Sequence, residues 1–268
     1  MGKYSGKLIW VTGGSEGIGK EVGKEFVKAG AHVVISSRSS DKLALALKEL
    51  EALRVSPQQK IESKVLDVTL YNQTVSVADS IVSKMGVPDY VINCAGYARP
   101  GYIHELDIEH YKKMMDLNYF GIVHVCKAIV PHLLQAKKGH IVNTSSMAGF
   151  IGLFGYTGYC GSKYAVVGFS EGLRRELENV NIRVSVLCPP NTRTPGFVEE
   201  NKFKPAEVLK TEEKAKSVDP DFVAKELLRE LPKNKFFIVP TFDGKMALSL
   251  SRWAPGILST FVKRPQIN

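Results

Sequence analysis

"VTGGSEGIGK", residues 11–20, decides the fold. It follows "KLIWVT" (7–12), an apolar run with strand composition, and opens a helical pattern over 17–29. Gly13, Gly17 and Gly19 give a GxxxGxG spacing, with Ser15, Glu16 and Ile18 between them. Glycines let the chain turn tightly and bring backbone N–H groups close to a phosphate. A helix N-terminus adds a dipole that favours the anion. A glycine loop in the first strand-to-helix turn reads as the pyrophosphate cradle of a dinucleotide site.

The rest of the chain repeats that rhythm. Further Val- and Ile-rich runs lie at 31–36, 61–68, 89–95, 139–145, 182–188 and 235–240. Several are apolar on both faces, as buried parallel strands are. Helical patterns fill the intervals at 41–54, 71–85, 107–136, 160–178 and 219–231. Alternating strands and helices predict an α/β, doubly wound parallel sheet covered on both faces, in one domain over 1–268. Two segments break the rhythm. The charged stretch 191–218 follows the sixth strand and suits a lid over a substrate. The apolar stretch 241–268 suits core or dimer packing, closure over a greasy substrate, or contact with a membrane interface.

The end of the second strand speaks to the cofactor. An acidic residue there would hold a ribose 2′-hydroxyl; this chain has Ser36, Ser37 and Arg38. An arginine accommodates a 2′-phosphate, and Lys42 lies one helical turn beyond, so NADP(H) is expected. Glu16 in the glycine loop is the one mild objection. "VLDV" (65–68) places Asp67 and Val68 beside the adenine, with Asp67 accepting from its amino group. "NCAG" places Asn93, Ala95 and Gly96 along the middle of the cofactor.

A proton donor comes from "GLFGYTGYCGSKYAVVGF" (152–169). Tyr159 and Lys163 are four apart and share a helix face, about 6 Å of rise, whereas Tyr156 would sit roughly 10 Å from Lys163. Gly155 and Gly158 also argue against a helix around Tyr156, and Tyr164 points elsewhere. A phenol is a poor acid–base catalyst near neutrality unless a neighbouring ammonium lowers its pKa. Lys163 is expected to do so and to hold the nicotinamide ribose. Ser146, at the end of "GHIVNTSS", is expected to polarise a carbonyl, with Ser145 as the alternative. Asn118 in "DLNYFG" is expected to hold a water or backbone group near Lys163.

Other features narrow the function class. The net charge is +9 from 36 basic and 27 acidic residues, but the bases are spread along the chain and no nucleic-acid-binding motif occurs. Cys94, Cys126, Cys160 and Cys188 have no CxxC pairing and read as reduced thiols of a cytoplasmic protein. The six histidines lack ligand spacing, so no metal is expected. No run of 18 apolar residues is seen and the N-terminus enters a strand directly, so neither a span nor a signal peptide is expected.

Gly13-xxx-Gly17-x-Gly19, "NCAG", Asn118, Ser146 and Tyr159-xxx-Lys163 together resemble the short-chain dehydrogenase/reductase family over residues 6 to about 240. The resemblance implies a seven-stranded Rossmann fold, a nicotinamide cofactor, an Asn118–Ser146–Tyr159–Lys163 tetrad and a homodimer or homotetramer. It also implies that Pro189 and a following threonine, Thr194 or Thr192, meet the carboxamide. "CPPNTRTPGFVEENKFKP" (188–205), with Pro190 where the family usually has glycine, is similar to the 3-ketodihydrosphingosine reductases. That narrower likeness implies NADPH-dependent reduction of a lipophilic ketone in sphingolipid synthesis. Eukaryotic members carry an N-terminal anchor not seen in this chain, so at most a peripheral membrane contact is expected. The rivals are a reductase of another lipophilic carbonyl, such as a steroid, retinoid or fatty acyl compound, and a non-catalytic NADP(H) sensor or scaffold.

Overall fold

A computed structural model describes residues 2–212 and 216–257. Seven parallel strands form one sheet in the order β3-β2-β1-β4-β5-β6-β7. They are β1 Leu8–Thr12, β2 His32–Ser37, β3 Ile61–Val65, β4 Tyr90–Asn93, β5 Gly139–Thr144, β6 Ile182–Leu187 and β7 Phe237–Ile238. The third, fourth and seventh are shorter than their apolar runs. The residues beyond β3 and β4 leave the ladder to form the cleft.

Alternation along the strands sends side chains to two cores. Ile9, Val11, Val33, Ile35, Ile92 and Val142 face α1 (Gly17–Lys28), α2 (Ser40–Glu51) and α9 (Pro220–Glu230). Leu8, Trp10, Val34, Val91, Ile141 and Val184 face α3 (Tyr71–Met85), α5 (Gly121–Ala136) and α6 (Thr157–Leu177). Burial on both faces explains why these runs are apolar throughout. Trp10 is fully buried and donates from Nε1 to Ser36 Oγ at 3.1 Å. Trp10→Ala would cost roughly 3–5 kcal/mol through the lost burial and the cavity left behind.

The long helical pattern at 107–136 is not one regular helix. It is α4 (Ile108–Met115), a π-helical turn at Asp116–Phe120, then α5. The segment over Ile108–Ala136 is long and apolar enough to cross a membrane, contrary to the reading of the sequence, and half of its most apolar window is buried. That apolar side is the core beneath the sheet, where Ile122, Val125, Ile129 and Leu133 pack. The charged excursion after β6 holds α7 (Pro195–Asn201) and α8 (Ala206–Glu212). Its base is closed by a parallel bridge between Thr192 and Val218. Beyond β7 lies α10 (Phe242–Trp253), with Phe242 and Trp253 largely exposed; the end of the apolar stretch, 258–268, lies outside the described residues.

All the strands point the same way, so every C-terminal end opens on one edge. The order reverses between β1 and β4, and there the flanking connections diverge and leave a crevice.

Candidate active site

One cleft of about 500 Å³ runs along that edge, from Arg38 past Tyr159 to Phe203. Its central chemistry comes from β5 and α6. The chain leaves β5 at Thr144, and Ser145 is buried with Oγ donating to Lys163 O at 2.9 Å. That bond fastens α6 to the sheet and commits Ser145 to structure. Ser146 lines the cleft, and its Oγ accepts from Ala148 N at 3.2 Å. Gly155, with φ of 75°, turns the chain into Tyr156, and α6 starts at Thr157. Tyr159 and Lys163 therefore share the inner face of the helix; Tyr156 precedes it and Tyr164 is exposed.

The electrostatics differ from the expectation. Lys163 is buried; its Nζ donates to Thr144 O at 3.0 Å and lies 5.6 Å from the centre of the Tyr159 ring. Burial draws its pKa down to about 8. The Tyr159 phenol is pushed up, first by burial and then by the Glu200 carboxylate, while the Ser146 hydroxyl acts in the opposite direction. The ammonium faces the Thr144 carbonyl and the ring rather than acting as the main influence on the phenol.

Asn118 sits in the π-helical turn, a distortion frequent at functional sites. Its Oδ1 accepts from Tyr97 N at 2.8 Å, and its Nδ2 donates to Tyr97 O at 2.8 Å and Ser162 Oγ at 2.9 Å. It holds a backbone group, as expected, and ties the loop after β4 to α6. A Cβ built on Gly96 would lie 3.4 Å from Asn118 Oδ1 and 3.5 Å from Lys163 Nζ, so both polar atoms converge at that glycine.

The glycine-loop end is shaped by backbone. Gly13 has φ of 68°, and a Cβ there would come within 2.6 Å of Ala95 N. A Cβ on Gly19 would come within 2.3 Å of Gly13 O. Ser15, Glu16, Gly17, Ile18, Ser37, Arg38, Lys42, Val68, Ala95 and Gly96 line the cleft with them. Ser37 Oγ is buried there without a hydrogen-bond partner. A cradle closed to any Cβ and an orphaned hydroxyl beside Arg38 fit a dinucleotide. Glu16 is paired with Lys42 at 2.7 Å, which removes the objection to an anion nearby. Two expected contacts fall elsewhere. Asn93 is buried, accepting from Thr12 Oγ1 at 3.3 Å and donating to Asn143 Oδ1 at 2.9 Å, so its side chain clamps strands rather than lining the cleft. Asp67 accepts from Thr69 N and Oγ1, at 3.0 and 2.7 Å, and lies 4.0 Å from Arg38. Its carboxylate shapes a turn beside the cleft, because a short acid at a strand end meets its own backbone first.

The excursion after β6 forms the other wall. Pro189, Thr192 and Thr194 line the cleft; Thr194 Oγ1 caps α7, accepting from Phe197 N at 3.1 Å. Arg193 bonds Asp219 and Ser217 and so holds the two ends of the excursion together. Phe197, Glu200 and Phe203 face inward, opposite Leu153 and Tyr156. The sequence raises Tyr156 only as a rival proton donor and does not single out the other four. The signal available was the charged excursion itself, which names the wall without naming its residues.

A dinucleotide cradle, a half-buried tyrosine beside a buried lysine, and a serine converging on one cleft define an oxidoreductase acting on a carbonyl or the corresponding alcohol. The chain belongs to the short chain dehydrogenase family, whose model matches residues 7–205; enzymes of this family work with a nicotinamide cofactor. It is 39% identical to a 3-dehydrosphinganine reductase of Danio rerio, over 93% of this chain and 75% of that one. It is 37% identical to a 3-ketodihydrosphingosine reductase of Mus musculus over 92% and 74%, and 39% identical to one of Dictyostelium discoideum over 95% and 80%. Among solved structures, a short chain dehydrogenase/reductase from Burkholderia phymatum in complex with NAD superposes with a TM-score of 0.82 at 22% identity, covering 100% of this chain and 99% of that one. That likeness is one of fold.

Proposed function

We propose that the chain reduces the 3-ketone of 3-ketodihydrosphingosine to dihydrosphingosine, using NADPH. The observation that carries the substrate is the likeness to two 3-ketodihydrosphingosine reductases and a 3-dehydrosphinganine reductase, each over more than nine-tenths of this chain. The cleft agrees with it. Leu153, Phe197 and Phe203 on its lining offer apolar surface suited to an alkyl chain, and Tyr156 and Glu200 add polar groups.

Arg38 and Ser37 would hold the 2′-phosphate, and the N–H groups of the glycine loop would hold the pyrophosphate. Lys163 would hold the nicotinamide ribose, and Pro189, Thr192 and Thr194 would flank the carboxamide. When bound, the cofactor supplies the hydride. Ser146 orients the carbonyl oxygen, and Tyr159 donates its proton to that oxygen as charge develops there. Lys163 and Asn118 keep the phenol and the neighbouring backbone in register. An assembly of two or four copies belongs to the same reading, as does peripheral contact with a membrane through α10, where Phe242, Met246 and Trp253 are exposed. Light scattering and vesicle co-sedimentation test these two points.

NADPH oxidation is followed at the nicotinamide absorbance with 3-ketodihydrosphingosine in mild detergent, and with NADH in parallel. Turnover that favours NADPH is expected. Turnover confined to steroids, retinoids or fatty acyl ketones would replace the substrate, and NADPH binding without any turnover would leave a cofactor-binding protein.

A further inference from the structure

Behind the cleft lies a hydroxyl that the chemistry above does not use. Ser162 on α6 is fully buried and lines no part of the cleft. Its Oγ donates to Tyr159 O at 2.8 Å and accepts from Asn118 Nδ2 at 2.9 Å. In a regular helix that carbonyl oxygen also accepts from the N–H four residues on, which is that of Lys163. The hydroxyl therefore sits on the backbone link between the two members of the Tyr–Lys pair. Its one proton is committed to Tyr159 O, so towards Asn118 it can only accept. The amide must then turn its nitrogen to Ser162 and its oxygen to Tyr97 N. Asn118 is equally buried, out of reach of bulk water. One run of bonds thus leads from Tyr97, next to Gly96 where Asn118 Oδ1 and Lys163 Nζ converge, through Asn118 and Ser162 to Tyr159. The same helix holds a twin of this arrangement at a different place. Ser170 is fully buried, donates to Val166 O at 2.7 Å and accepts from Asn143 Nδ2 at 2.9 Å. That twin ties α6 to the middle of the sheet and touches neither Tyr159 nor Asn118.

We infer that Ser162 is a positioning residue for the reaction, holding the Asn118 amide in one sense and so fixing the Tyr159 proton donor against the loop at Gly96 and Tyr97. The inference rests on the reading of Tyr159 as proton donor and adds the residue that sets its place. Asn118 Nδ2 has two hydrogens, one bonded to Tyr97 O and one to Ser162 Oγ. Removing the hydroxyl leaves the second buried without an acceptor. The amide relieves that loss only by turning, and turning breaks its paired bonds to Tyr97. The loop after β4 and the start of α6 then lose their direct tie, while every group that lines the cleft stays. Ligands still bind, but the phenol is held less well on the carbonyl oxygen. The loss therefore falls on the chemical step, where small misplacements are costly.

A double-mutant cycle with Ser170 as control tests this. Ser162→Ala is expected to lower kcat roughly tenfold, the worth of one hydrogen bond. KM for the ketone and affinity for NADPH should stay within about threefold. In an Asn118→Ala background the same change should cost less than about twofold, because its partner is already gone. Ser170→Ala removes a hydroxyl with the same kind of bonds; it should lower the melting temperature as Ser162→Ala does and leave kcat within about twofold. Hydrogen exchange at the Tyr97 amide, which donates to Asn118 Oδ1, reads the tie without turnover. Ser162→Ala should speed that exchange and Ser170→Ala should not. Should Ser162→Ala fail to fold, Ser162→Cys, similar in size but a weak donor and acceptor, takes its place. An unchanged kcat, an equal loss in both Asn118 backgrounds, or unchanged exchange at Tyr97 would overturn the inference. Turnover that survives Tyr159→Phe would sink the reading of the site, and exchange at Tyr97 would still decide whether Ser162 holds Asn118.

Discussion

At the glycine-loop end of the cleft the walls are backbone: Gly13 meets Ala95 and Gly19 meets Gly13 with no room for a Cβ. At the other end they are side-chain tips carried on α7 and its flanks, such as Phe197, Glu200 and Phe203. The first end inherits its shape from strand ends held in a buried ladder. The second is held by surface pairs, Arg193 with Asp219 and Tyr102 with Glu207, and by the Arg99 guanidinium, 3.3 Å from the centre of the Phe203 ring. On the proposed reading, the difference teaches that the common cofactor and the particular substrate are recognised by two kinds of matter. One is rigid and intolerant of substitution; the other is adjustable.

The comparison breaks most severely where the two ends meet. Tyr159→Phe should lower kcat by roughly 10²–10⁴, the range for losing a general acid, with NADPH affinity unchanged by fluorescence titration. Retained turnover would remove Tyr159 from the chemistry. Gly13→Ala tests the rigid end. A positive φ and a 2.6 Å clash should weaken NADPH binding by at least roughly a hundredfold, since strand ends cannot yield. Near-normal affinity would show that this end is as pliant as the other.

Acid should act on the sheet that carries both ends. His140 on β5 is held down to about 4, by burial first and then by the Arg183 charge. Ser185 Oγ donates to Lys235 O at 2.7 Å, so the imidazole must be the donor in its 2.8 Å bond to Ser185. The folded value lies below the ordinary 6.5, so protons bind preferentially to the unfolded chain between the two. Stability is then level above 6.5 and falls as the pH drops towards 4, by about 3 kcal/mol in all. Denaturant titrations at several pH values measure this, and His140→Gln should flatten that part of the profile.

Smaller effects sharpen the contrast. Arg38→Ser should weaken NADPH by roughly tenfold to a hundredfold and leave NADH within about threefold, in paired titrations. Arg193→Ala, at the base of the excursion, should raise KM for the ketone by roughly threefold while cofactor affinity and melting temperature stay put. A larger loss of cofactor affinity than of KM would mean that the excursion holds the dinucleotide by more than Thr192 and Thr194.

This division also explains what could be read from the sequence. Strand positions and the Tyr159–Lys163 face are periodic, and the glycine loop has a local reason for each residue, so they are legible in one dimension. The π-helical turn at Asn118 is not, because nothing in "DLNYFG" distinguishes it from regular helix except a poor helix former. The Asn93 clamp depends on Thr12 and Asn143 arriving from neighbouring strands. Glu200 meets Tyr156 across the cleft, between an excursion and a helix N-terminus. The bond from Lys163 to Thr144 O is not legible either, because spacing gives proximity but not the direction of an ammonium.

The bridge between Thr192 and Val218 makes the excursion an insertion whose two ends leave the scaffold about one strand spacing apart. Such a unit can be exchanged whole. Grafting the corresponding segment of a relative between these two residues, with Thr194 kept where it meets the glycine loop at Gly17, would leave the sheet and the Tyr–Lys pair untouched. A lineage could thus acquire new substrates by trading one surface module, with the hydride-handling machinery passed on unaltered.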